Sequence, residues 1–171
     1  RFFSLTGATV LFVGGSLSGV NRAIHVADAV DAASSLTLRG TQLFAGTGAG
    51  LRLHGTVAGK INILGRSSIA GVGDGILFGA AVASTTVLTI ATSDLTCSGG
   101  GCNSVRSDVD FPGKILVTQS TLSAQGSVVG IDNTAVLTGT ISAKMSSLVS
   151  ATSHTIQLNA VTGGSVRVHR G

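Results

Sequence analysis

The sequence predicts an all-β protein, a right-handed parallel β-helix of about six coils of about 26 residues. Two observations predict it: a composition that favours strands, and an aliphatic pattern that returns at a nearly constant step. Among 171 residues there are 25 Gly, one Pro, six Phe and no Trp or Tyr. Glu is absent, and β-branched and turn-forming residues outnumber helix formers. Nothing marks a linker or a second domain, so residues 1–171 are expected to form one β-helix domain.

The repeat is read by counting. A pair of apolar residues two apart is followed by another aliphatic: Val10, Phe12 and Leu17, then Leu36, Leu38 and Leu43, then Ile61, Ile63 and Ile69. It continues through Leu88, Ile90 and Leu95, through Ile115, Val117 and Leu122, and through Ile141, Ala143 and Leu148. Val166 and Val168 begin a seventh copy, and the steps between first members are 26, 25, 27, 27, 26 and 25 residues. A second pair follows each first one: Ile24 and Val26, Leu51 and Leu53, Ile76 and Phe78, Val129 and Ile131, Ile156 and Leu158. In the fourth copy the spacing points to Asn103 and Val105. A last aliphatic closes each turn at Val30, Val57, Val82, Val109, Val136 and Val161.

An i, i+2 pair places both side chains on one face of a strand and turns the residue between them to water. Three short strands per repeat, separated by Gly, Ser, Thr and Asn, carry the chain around one coil. Stacking the coils pairs each strand with its counterparts in parallel and lines the aliphatics into internal ladders. Helical repeat arrays need amphipathic helices that are missing here. An antiparallel propeller or sandwich is the competing all-β arrangement.

The segments 36–53 (LTLRGTQLFAGTGAGLRL) and 61–78 (INILGRSSIAGVGDGILF) resemble rungs of autotransporter passenger domains of the type V secretion class. The likeness spans nearly the whole chain, and filamentous-haemagglutinin-type and phage tail proteins share the cadence. The resemblance implies an extracellular, surface-displayed virulence factor or adhesin of Gram-negative bacteria, non-catalytic, recognising a host surface or serum protein or a glycan. It also implies anchoring through a membrane barrel not contained in these residues. A glycan-processing lyase or hydrolase and a tailspike segment are the alternatives. Residues 8–13 are apolar but lack a basic leader and a cleavage site, so they read as a strand. No apolar run is long enough for a membrane helix. The repeat enters running and leaves unfinished, which is the expectation for part of a longer passenger.

Cys97 and Cys102 flank Ser-Gly-Gly-Gly in a turn, where a disulfide suits an extracellular chain; free thiols and metal ligation are the other readings. No metal or cofactor is expected. The seven acids are all Asp, and only Asp28 and Asp132 share a phase, four coils apart. That spacing does not suit paired carboxylates. Arg106, Asp108, Asp110 and Lys114 form the densest polar group, a weak candidate for binding that also reads as a solvated loop. Arg39, Arg66, Lys144 and Arg170, flanked in phase by Lys60 and Lys114, suggest a basic strip able to steer an acidic ligand, or else a solubilising edge. The net charge of +4 is spread along the chain, without the basic runs of a nucleic-acid binder. The histidines His25, His54, His154 and His169 share no phase and read as surface residues. The Gly-Val-Gly-Asp-Gly stretch from Gly71 to Gly75 echoes a calcium-binding repeat turn or a phosphate loop, both discounted because it occurs once and no helix follows.

Overall fold

The structure, a computed structural model, describes residues 5–131, 135–152 and 154–169. It is an all-β parallel solenoid of about six coils, with three sheets running its length.

The first sheet has seven strands: Thr9–Val13, Ser35–Arg39, Lys60–Leu64, Val87–Ala91, Lys114–Thr118, Thr140–Lys144 and Ser165–His169. Its register runs Val10, Leu36, Ile61, Leu88, Ile115, Ile141 and Val166, the ladder expected from the aliphatic step. The second sheet stacks Ser16–Gly19, Gln42–Ala45, Ser68–Gly71, Asp94–Cys97, Thr121–Ala124 and Ser147–Ser150. The third stacks Ile24–Val26, Leu51–Leu53, Ile76–Phe78, Val105–Ser107, Val129–Ile131 and Ile156–Gln157. Alternation sends Leu36 and Leu38, Ile61 and Ile63, and Leu88 and Ile90 inward, where all six are fully buried. Burying each such side chain stabilises by roughly 1.5–3 kcal/mol. At the last strand the ladder is uncovered: Val166 is 39% and Val168 62% exposed.

Two interior positions differ from the sequence-based pairing. In the fourth copy Val105 and Ser107 pair with Ile76 and Phe78, while Asn103 lies in the preceding turn. The cause is an insertion. Ten residues separate Leu95 from Val105, against seven between Ile69 and Ile76, and the extra length forms the cysteine turn. The closing ladder runs Leu5, Val30, Val57 and Val82, then takes Phe111 and Leu137 instead of Val109 and Val136. Phe111 is fully buried and meets the Phe78 ring edge-on, centroids 5.2 Å apart. An aromatic there fills the space that Ser107, standing where Phe78 stands one coil earlier, leaves open.

The bend from first to second sheet repeats a local device. The residue after the strand takes a left-handed backbone: Gly40 at φ 61°, Thr92 at 48°, Gln119 at 49° and Met145 at 48°. A buried hydroxyl follows at Thr41, Ser93 and Ser120, and in the third coil at Ser67. These hydroxyls link the coils. The Ser93 amide donates to Ser120 Oγ at 3.2 Å, and the Ser120 amide to Ser146 Oγ at 3.3 Å. Each hydroxyl in turn donates to a carbonyl of its own coil, as Ser120 does to Thr118 at 2.8 Å and Ser93 to Ala91 at 2.9 Å. A column of serines thus satisfies backbone groups that the sharp bend removes from the sheets.

Candidate functional site

The polar group expected around residue 106 is only partly assembled. Arg106 lies mid-strand in the third sheet and points outward. Its Nε donates to Asp108 Oδ1 at 2.6 Å, and its Nη1 stands 4.0 Å from Asp74 Oδ2. Asp110 turns away to accept the Val136 amide at 2.8 Å, tying two coils together. Lys114 begins the next first-sheet strand, around the coil from Arg106. Asp108 and Asp110 instead border an open groove of about 370 Å³ with Ala81, Val82, Val109 and Ala135.

Asp74 and Asn103 are the members the sequence did not single out. Asp74 Oδ1 accepts the Asn103 backbone amide at 2.7 Å and its side-chain amide at 3.3 Å. Asn103 Oδ1 then accepts the Ser127 amide at 2.9 Å, one coil further on. Burial holds the Asp74 carboxyl above its usual range, against the opposing hydrogen bonds of Asn103 and the charge of Arg106. The glycines around Asp74 allow the coils to stack closely: a Cβ on Gly73 would meet Gly48 backbone at 2.5 Å, and one on Gly75 the Ser104 carbonyl at 2.5 Å. The stretch from Gly71 to Gly75 is therefore a stacking turn whose Asp holds the following coil.

Cys97 and Cys102 form a disulfide with Cα atoms 6.0 Å apart. Cys97 ends a second-sheet strand, inward-facing and buried, in register with Gly71. The bond closes the insertion of the fourth coil. Cross-linking so short a loop stabilises by about 2 kcal/mol.

The basic residues do not form a continuous strip. Arg39 and Lys144 occupy the same column of the first sheet, but Leu64, Ala91 and Thr118 stand between them. Four strand spacings separate the two by about 19 Å. Arg66 lies beyond the strand at φ 65°, in the bend. Arg39 lies against Gly65, since a Cβ there would meet its Cγ at 3.4 Å. Lys60 and Lys114 share the opposite end of the same strands, two coils apart. Arg170 and Asp132 lie outside the described residues.

Two histidines are brought together. His25 points outward from the third sheet, Arg52 stands over it in register, and the His25 and His54 rings approach to 6.0 Å. His154 and His169 are exposed elsewhere. Among the described residues no three His, Cys or Asp side chains converge to hold a metal ion, and no helix is long and apolar enough to cross a membrane.

No protein-family model matches the chain, and neither a curated protein nor a solved structure is significantly similar to it.

Proposed function

We propose that the chain is a non-catalytic binding scaffold displayed outside the cell, of the autotransporter passenger type, acting by adhesion to a host protein or glycan. The observation that carries this reading is the first sheet. Seven parallel strands in unbroken register present an outward column of Leu11, Thr37, Asn62, Thr89, Leu116, Ser142 and Arg167. At the strand spacing this column extends over about 29 Å. Its mix of three hydroxyls, an amide, an arginine and two separated leucines suits an extended partner laid along the solenoid better than a small molecule held in a pocket. The disulfide supports an oxidising location.

The test is a glycan array run beside a pull-down from serum, using the folded chain. Saturable capture of a defined glycan or serum protein is the expected result. Release of shortened or unsaturated sugars from polysaccharides would instead establish the enzyme reading, and a stable trimer in light scattering the tailspike one.

A further inference from the structure

The most unusual electrostatic feature lies on the third sheet, away from the basic residues that the sequence pattern aligned. Arg22 precedes the strand Ile24–Val26, and its Nη1 donates to His25 Nδ1 at 3.3 Å. Arg52 is centred on the strand Leu51–Leu53, directly over His25 in register. His54 follows two residues later on the same outward side, its ring 6.0 Å from that of His25. Four nitrogen-rich side chains thus share the outward face of two adjacent coils.

Neither arginine has an acidic partner among the described residues, where both ion pairs belong to Arg106. Asp28, the nearest acid along the chain, is exposed and makes no ion pair. Leu77 stands above Arg52 in register, and beside His54 is Gly79, which has no side chain. Arg52 Nε is moreover buried with no hydrogen-bond partner. An N–H of a guanidinium left without an acceptor is costly. Beside the cluster an open groove of about 380 Å³ is lined by Val20, Asn21, Arg22, Ala23 and His25.

We propose that Arg22, His25, Arg52 and His54 form a binding site for a tetrahedral oxyanion ester, a sulfate or phosphate group carried on a larger ligand. A small swing of Arg52 brings Nε and one Nη onto the same oxyanion, the two-bond geometry that a guanidinium favours. Arg22 and the imidazoles close around the anion, and the groove takes the body of the ligand. This names a site within the scaffold reading and rests on it.

The experiment is a nuclear magnetic resonance titration of the folded chain, observing Arg Nε–H and His ring signals. Sucrose octasulfate serves as the sulfate probe and inositol hexakisphosphate as the phosphate probe. Saturable shifts at Arg52, His25 and His54 are expected with at least one probe, and the tighter one identifies the source. R52Q should weaken binding about tenfold or more, and R52K, which keeps charge but loses the fork, by an intermediate amount. R39Q should leave affinity unchanged. Unaltered affinity in folded R52Q, or shifts centred on Arg39, Arg66 or Lys60, would overturn the proposal. If R52Q captures serum or glycan ligands as well as the parent chain, this site falls and the scaffold reading stands. Polysaccharide cleavage would remove the scaffold reading whatever R52Q does.

Discussion

The two bends that carry the chain out of and into the second sheet are built on opposite principles. The bend leaving the first sheet is repeated with little change: a left-handed residue, then a buried hydroxyl, at Gly40 and Thr41, Thr92 and Ser93, Gln119 and Ser120. The bend entering the third sheet varies from coil to coil. It is a glycine turn around Asp74, a disulfide-closed insertion in the next coil, and a serine at Ser127 after that. Repetition is kept where backbone groups lose their sheet partners and side chains must replace them. Variation is tolerated where neighbouring coils are joined by whichever polar atoms the local sequence supplies. Charge gathers on the variable side, where Arg22, His25, Arg52 and Arg106 all sit at or beside the third sheet.

The comparison can be broken in three ways. The largest effect is expected from removing the disulfide. Cys97→Ala with Cys102→Ala should lower stability by about 2 kcal/mol, read as a fall in the urea midpoint. An unchanged midpoint would mean that the insertion opens independently of the stack.

The hydroxyl column should follow closely. Ser120→Ala removes the acceptor of the Ser93 amide and the donor to Thr118, leaving buried backbone groups unpaired. A loss of about 1–2 kcal/mol is expected by the same measurement. Ser127→Ala, on the variable bend, leaves intact the amide that bonds Asn103 and removes the hydroxyl's bond to the exposed Gln157 side chain, which water can replace, so it should cost less.

The smallest effect concerns Asp74 and depends on pH. Burial raises its carboxyl in the fold, so the group favours the fold while protonated, below the ordinary carboxylate range. That contribution is lost as pH rises through the raised value, and at neutral pH the ionised form weakens the fold. Asp74→Asn keeps an oxygen for the Asn103 amide and sheds the charge. It should be as stable as the parent at pH 7 or more so, by at most about 1 kcal/mol, with the difference shrinking at pH 3. Destabilisation at pH 7 would show that attraction to Arg106 outweighs burial.

The ladders were legible because an aliphatic pair two apart has one physical use in a stacked strand. Every first-sheet pairing from Val10 to Val166 follows the counted register. Legibility failed where length changed. The fourth-coil insertion shifted the inward pair from Asn103 and Val105 to Val105 and Ser107, and the closing position moved to Phe111, two residues beyond Val109. The hydroxyl column was hidden by abundance, since Ser and Thr are frequent everywhere. Its only signal is a hydroxyl three residues after the second inward aliphatic, as in Ile90 to Ser93 and Val117 to Ser120. The polar groupings were missed because phase alone does not describe neighbourhood. Asp74 reaches Arg106 from the preceding coil, and His25 reaches His54 diagonally across two coils.

The direction of the serine bonds has a consequence in time. The amide of Ser93 is satisfied by a hydroxyl of the following coil, and that of Ser120 by the coil after it. A coil that has just closed therefore carries at its bend one donor that only its successor can answer. Assembly of such a stack resembles a ratchet, in which each completed turn offers a specific foothold to the next. A turn docked out of phase would leave that donor buried and unanswered.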